Sequence, residues 1–268
     1  MAGRLEGKGA LVIGAAGRDN MAQVIARRFH DEGANVAVSG RKKEELERFA
    51  TEIGGHAFTC DLTDREQVRA LAWQVKASLG QIDIAVNATG WGLLKPFLET
   101  TREELEAMTA LQYEGPFYFL QAMVEAMARD RGGRGGSIIQ ISSATATIML
   151  NDHAAYMGTK AGTDHVVRCV AHEFGEQGIR ANSISPGLTD TPMTAEAKEA
   201  GIFESFRAGY PLGRWGTKDD IAAAAVWLAS DECFMTGENL QVNGGLTLRR
   251  NPTREEIMAG AAAAAAGA

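Results

Sequence analysis

The fold turns on Lys8–Ser39, which reads KGALVIGAAGRDNMAQVIARRFHDEGANVAVS. After Lys8 the run GALVI carries no polar residue, as a strand buried on both faces does. A glycine-bearing turn follows, then Met21–Glu32 with apolar residues at helical spacing, then a second apolar run, Asn35–Ser39. This is one strand–helix–strand unit, and the alternation continues outward. Strands are expected at Lys8–Gly14, Asn35–Ser39, His56–Cys60, Ile82–Asn87, Ser137–Ser142, Ile179–Ser185 and Asn239–Asn243. Helices are expected at Met21–Glu32, Lys43–Ile53, Arg65–Leu79, Arg102–Arg129, Ala155–Glu176 and Asp219–Ala229. Apolar strands separated by helices make a parallel sheet covered on both faces, so the fold class is doubly wound α/β, with about seven strands. The unbroken series predicts one domain over 1–250. The alanine-rich remainder, 251–268, opens with a Thr253/Glu256 capping pair after Pro252, which predicts a short helix.

Composition narrows the partners. A formal net charge of −7 over 268 residues disfavours nucleic acid and anionic membrane, both of which need a basic surface. No apolar run approaches the ~20 residues of a membrane span, and the N-terminus lacks a signal-peptide pattern. Cys60, Cys169 and Cys233 are odd in number and far apart, without metal-ligand spacing. The expectation is a cytoplasmic protein with reduced thiols and no metal.

In doubly wound sheets ligands bind beyond the carboxyl ends of the strands. The first such loop, Gly14–Ala22, leads into a helix N-terminus, whose free N–H groups and dipole suit a phosphate. After the second strand, Gly40 is followed at once by Arg41, a guanidinium suited to a phosphate rather than a ribose hydroxyl. Further on, Tyr156 and Lys160 are four residues apart on an expected helix, hence on one face. A tyrosine titrates near 10, and an ammonium beside it favours the phenolate, so the pair makes a tuned proton donor.

Taken in order from about Gly7 to Gly245, these motifs resemble those of the short-chain dehydrogenase/reductase family, with its Rossmann-like sheet. The resemblance implies a catalytic set of Ser143, thirteen residues before the tyrosine, with Tyr156 as acid/base and Lys160 lowering its pKa while binding the nicotinamide ribose. For the cofactor it implies Gly14, Asn20 and Met21 in the phosphate loop, Arg41 at the ribose, and Asp61 with Leu62 at the adenine. Asn87, Ala88 and Gly90 match the segment under the cofactor, and Pro186, Gly187, Leu188 and Thr191 match the loop that holds the carboxamide. Gly213-Arg214, Asp220-Ile221-Ala222 and Val242-Asn243-Gly244-Gly245 follow the family's closing pattern. NADP(H) is expected ahead of NAD(H), because the family's NAD-preferring acid is replaced by Gly40. The reaction implied is hydride transfer between a ketone or aldehyde and an alcohol.

Two departures stand out. The Gly14–Ala22 loop is two residues longer than usual and resembles the enoyl reductase branch, with Asn20 in the serine place and Ala22 in that of the third glycine. Gln112 occupies the place of a family asparagine that disturbs its helix and holds a proton-relay water. Alternatives are therefore an enoyl-thioester reductase, although that branch spaces its tyrosine and lysine more widely, and a cofactor-binding sensor or scaffold without turnover. Trp91, Ile148, Met149, Met193, Phe203, Phe206 and Tyr210 are expected over the cleft, as pocket lining or as a packed lid across Thr194–Gly213. His153 reads as an incidental loop histidine or a pH-tunable substrate contact, and His165 and His172 as structural or exposed. By analogy with relatives, the long helices pair subunits in a homotetramer or homodimer around a small-molecule carbonyl site.

Overall fold

A computed structural model describes residues 3–267. Seven parallel strands lie in the order β3-β2-β1-β4-β5-β6-β7. They are β1 (Gly9–Ile13), β2 (Asn35–Gly40), β3 (His56–Thr59), β4 (Ile84–Asn87), β5 (Gly136–Ile141), β6 (Ile179–Pro186) and β7 (Asn239–Val242). The strand order reverses between β1 and β4, which opens a crevice at their carboxyl ends. Alternate residues of β1 divide the core. Ala10 and Val12 face α1 (Met21–Asp31), α2 (Lys43–Ile53) and α9 (Lys218–Ala229). Leu11 and Ile13 face the opposite layer, built from α3 (Arg65–Leu79), α5 (Gly115–Met127) and α6 (Ala154–Phe174). Burial on both sides is why β1 and β4 read as apolar runs, whereas the edge strands β3 and β7 are only partly buried and carry polar residues.

The expected helix Arg102–Arg129 is not continuous. α4 (Arg102–Thr109) passes into a π turn at Ala110–Glu114 before α5 begins. The cause is Pro116, which has no N–H to give the carbonyl four residues back and whose ring crowds it. That carbonyl belongs to Gln112, and the Thr163 hydroxyl on α6 donates to it at 2.7 Å. The chain after β6 forms two short helices, α7 (Ala195–Glu199) and α8 (Ile202–Arg207). α10 (Arg254–Gly267) packs on α8 through small residues, with Gly260 against Ser205 and Gly201 against Ala264. Its capping pair forms as expected: Thr253 N–H donates to Glu256 at 2.8 Å, and Glu256 N–H to the Thr253 hydroxyl at 3.3 Å. Asn251 ties this terminus to the loop after β5 by donating to the Met149 carbonyl at 3.0 Å. None of the described helices is long and apolar enough to cross a membrane.

Candidate active site

The glycine loop is built to leave main chain exposed at the crevice. Gly14 has φ 102, and a Cβ there would stand 2.9 Å from the Ala88 carbonyl, so the β1 and β4 ends meet only because the side chain is absent. Asn20 caps α1 by accepting from Gln23 N–H at 3.0 Å, and its amide donates to the Gly14 carbonyl at 2.8 Å. One side chain thus closes the lengthened loop at both ends. Asp19 takes a left-handed conformation within it, φ 52, and Lys218 of α9 holds its carbonyl at 2.9 Å. The N–H groups of Met21 and Ala22, in the first turn of α1, find no acceptor among the described residues. Loop and helix end together fit a pyrophosphate.

At the end of β2, a Cβ on Gly40 would lie 2.7 Å from Ala16 Cβ. A carboxylate at position 40 is therefore excluded by packing. Arg41 is exposed, forms no ion pair among the described residues, and lies close enough to Asp61 to help hold its carboxyl below the ordinary range. The larger cause of that shift is Thr63, whose N–H donates to Asp61 Oδ1 at 3.0 Å and whose hydroxyl donates at 2.8 Å. Leu62 is buried, with its side chain and its carbonyl oxygen against Gly115. Asn87 is fully buried and accepts from the Thr89 N–H and hydroxyl at 3.1 and 2.6 Å, shaping the turn through Ala88 and Gly90.

On the other side of the crevice, β6 ends at Pro186 and the loop Gly187–Thr191 is anchored from the lid. Leu188 N–H donates to the Tyr210 hydroxyl at 2.6 Å, and a Cβ on Gly187 would collide with that same oxygen. The Thr191 hydroxyl is paired with that of Thr194 at 3.2 Å. Phe203, Phe206 and Tyr210 are buried, whereas Trp91, Met149 and Met193 are exposed. The apolar group expected to act together over the cleft is thus split between a packed lid and an open rim.

Between these walls stand three side chains from two elements. Ser143 follows β5, and its Oγ is 2.8 Å from Thr145 Oγ1. Tyr156 and Lys160 lie one turn apart on α6, with Lys160 Nζ 5.6 Å from the Tyr156 ring centre. Lys160 is only 3% exposed and donates to the Ile141 carbonyl at 2.8 Å. Burial pushes its ammonium down to about 8, partly opposed by the Asp164 carboxylate. Tyr156 does not follow the sequence expectation of a lowered pKa. Burial raises it and Asp164 adds to the rise, outweighing the nearby Ser143 hydroxyl, which lowers it but pairs in geometry with Thr145. Desolvation of the phenolate is the larger effect here.

Gln112 is 1% exposed, on the π turn, and its amide donates to the Trp91 carbonyl at 2.8 Å. Its Oε1 lies 3.6 Å from where a Gly90 Cβ would be, and Lys160 Nζ lies 3.9 Å from the same point. The helix distortion expected from an asparagine is supplied by Pro116, and the glutamine amide borders Lys160 across Gly90.

Two further residues belong here. Asp164, one turn beyond Lys160, accepts from Ser142 Oγ at 2.7 Å and from Asn239 Nδ2 at 2.6 Å. Its other oxygen is buried without a hydrogen bond, as is the neighbouring Ser183 hydroxyl. Burial raises this carboxyl above its ordinary value, opposed by Ser183, Ser142 and Lys160. The i, i+4, i+8 spacing of Tyr156, Lys160 and Asp164 was the available signal. His153 is the other: its ring stacks on Tyr156 at 4.3 Å, and Nδ1 is 2.7 Å from the Leu93 carbonyl. His165 and His172 are exposed. No metal-binding cluster occurs among the described residues, and all three cysteines are free.

The family model described as Enoyl-(Acyl carrier protein) reductase matches residues 14–247. D-threitol dehydrogenase of Mycolicibacterium smegmatis is 35% identical over 252 residues, covering 92% of this chain and 95% of the relative. The 3-oxoacyl-[acyl-carrier-protein] reductase FabG of Thermotoga maritima is 31% identical, covering 91% of this chain and all of the relative (100%). Among solved structures, a short-chain type dehydrogenase/reductase from Mycobacterium ulcerans superposes with a TM-score of 0.87 at 28% identity, covering 94% of this chain and 98% of that one. The chain belongs to the short-chain dehydrogenase/reductase family and is an NAD(P)-dependent oxidoreductase that interconverts a carbonyl and an alcohol.

Proposed function

We propose that the enzyme is an NADP(H)-preferring carbonyl reductase and alcohol dehydrogenase in which Tyr156 moves the proton. The observation that carries this reading is the convergence of Ser143, Tyr156 and Lys160 at the crevice where the strand order reverses. The nicotinamide cofactor, when bound, supplies or accepts the hydride. Tyr156 gives its proton to the carbonyl oxygen in reduction and takes it back in oxidation. Ser143, once turned from Thr145, donates a hydrogen bond to the same oxygen. Lys160, with Nζ 5.6 Å from the centre of the tyrosine ring, places positive charge beside the site where phenolate forms. Gln112 lines the path from Lys160 toward the Trp91 carbonyl.

For the nucleotide, Gly14, Asn20 and Met21 form the phosphate cradle, Asp61 and the Leu62 main chain border the adenine, and Pro186 through Thr191 hold the carboxamide end. Arg41 binds a ribose 2′-phosphate, since packing of Gly40 on Ala16 leaves no room for a competing acid. Gel filtration tests the expected homotetramer or homodimer. The direct test of the reading is a panel of ketones and aldehydes with NADPH and NADH, followed by cofactor absorbance. Reduction with a higher kcat/KM for NADPH is expected, and no reduction of any panel member would refute it. An enoyl-thioester reductase is favoured only by the family model's description and the loop length; the same assay with a crotonyl thioester separates it.

A further inference from the structure

The Gly14–Asn20 loop ties up its carbonyls and leaves its N–H groups free. The Gly14 carbonyl accepts from the Asn20 amide at 2.8 Å, and the Ala15 carbonyl from the Gln23 amide at 2.9 Å. The N–H groups of Ala16, Gly17 and Arg18 find no acceptor among the described residues, like those of Met21 and Ala22. Such a set of donors draws an anion. Asp19 breaks the pattern, because it puts a carboxylate, 73% exposed, on the same loop. Lys218 stands against it: Nζ donates to Asp19 Oδ2 at 2.6 Å and to the Asp19 carbonyl at 2.9 Å. The main chain around Lys218 is fixed on either side. Thr217, just before it, caps α9 by accepting from Asp220 N–H at 3.2 Å. Gly216 is bridged to the Gly187–Thr191 loop, donating to the Leu188 carbonyl at 3.0 Å and accepting from Asp190 N–H at 3.1 Å. An ion pair with so open an acid contributes little to folding, so stability does not account for it.

Resting on the phosphate cradle read above, we propose that Lys218 is a positioning residue for the cofactor: by neutralising Asp19 and holding its carbonyl, it lets the lengthened loop accept the pyrophosphate. Lys218 acts through Asp19 and not on the reacting atoms. With the ammonium in place the loop offers N–H groups and a neutralised side chain. Without it, a bare carboxylate on the loop repels the two charges of a pyrophosphate. Asp19 suits the left-handed turn, φ 52, which few residues other than glycine, asparagine and aspartate adopt readily. Of those three only aspartate brings a charge, and only aspartate needs a partner such as Lys218.

The test is a fluorescence titration of NADPH and NADH into the wild type, Lys218→Met, Lys218→Arg, Asp19→Asn and the double variant Asp19→Asn/Lys218→Met, with urea unfolding to establish that each is folded. Lys218→Met is expected to weaken the tighter-bound nucleotide by roughly 10-fold, the size of one charge-assisted hydrogen bond. Lys218→Arg keeps the charge and stays near wild type. Asp19→Asn binds as tightly as wild type or more so, because asparagine tolerates the left-handed turn and leaves the Lys218 charge uncancelled. The double variant recovers most of what Lys218→Met loses, since the repelling carboxylate is gone. Should Lys218→Met fail to fold, Lys218→Gln, which keeps an amide donor and loses the charge, takes its place. A clamp without an electrostatic role gives the opposite pattern: Asp19→Asn is weakened and the double variant is no better than Lys218→Met. That pattern, or a Lys218→Met affinity equal to wild type, overturns the proposal while sparing the cradle. A wild type that binds neither nucleotide overturns both.

Discussion

Replacing Lys160 with methionine should stabilise the cofactor-free protein at neutral pH while removing the positive charge beside Tyr156. The ammonium is 3% exposed, and burial takes its pKa from 10.5 to about 8. At about 1.4 kcal/mol per pH unit, that fall corresponds to about 3 kcal/mol held against folding when the lysine is charged in both states. A lysine whose folded pKa is depressed contributes its full share of stability above pH 10.5 and loses it as pH falls to about 8. At pH 7 the whole penalty is therefore present. Methionine removes it but also deletes the hydrogen bond to the Ile141 carbonyl. That carbonyl keeps a second donor, Gln140 Nε2 at 3.0 Å, so the loss stays near the lower end, about 1 kcal/mol. The net gain is about 2 kcal/mol at pH 7, and by pH 10 the removed penalty shrinks below about 1 kcal/mol, so the advantage closes. Urea unfolding of both proteins at pH 7 and pH 10 measures this. Groups remote from Lys160 titrate alike in both proteins and cancel in the difference. A Lys160→Met protein less stable than wild type at pH 7, or an advantage that does not change with pH, would refute the reasoning.

Other outcomes follow from the same contacts. Asp164→Asn removes the negative charge that helps Lys160 keep its proton, so the basic limb of the pH–kcat profile for reduction should move to lower pH; an unmoved limb contradicts the electrostatic role. Thr163→Val strips the Gln112 carbonyl of its donor and should cost about 1–3 kcal/mol in urea unfolding, because Pro116 cannot replace it. Arg41→Ala should lower kcat/KM for NADPH by 10-fold or more, roughly one charge-assisted hydrogen bond, with NADH little changed; an unchanged NADPH/NADH ratio would leave Arg41 a surface charge.

The centre of the sheet was legible because a strand buried on both faces needs an unbroken apolar run, as β1 and β4 show, and the partly buried edge strands β3 and β7 followed from the continuing alternation with helices. Ser143, Tyr156 and Lys160 were picked out by the resemblance to the family pattern, and the fold sets Tyr156 and Lys160 one turn apart on α6. What was not legible has physical causes. The interruption at Ala110–Glu114 comes from Pro116, which stood in plain view, but apolar periodicity on either side masked it. The sign of the Tyr156 shift depends on how much water the fold removes, and residue spacing carries no measure of that. Spacing also could not separate Phe203 and Phe206, which pack the lid, from Met149 and Met193, which stay at the rim. His153 looked incidental because its stacking partner and the Leu93 carbonyl, sixty residues away, meet only in the folded chain.

The central claim is that Tyr156 is the proton donor to the carbonyl oxygen. Its most direct test is Tyr156→Phe, which keeps the ring under His153 and beside Lys160 and removes only the hydroxyl. Single-turnover reduction of a ketone that the wild type accepts should fall by about 10²–10⁴-fold, while NADPH affinity by fluorescence titration stays close to wild type. Reduction by Tyr156→Phe at the wild-type rate would contradict the account.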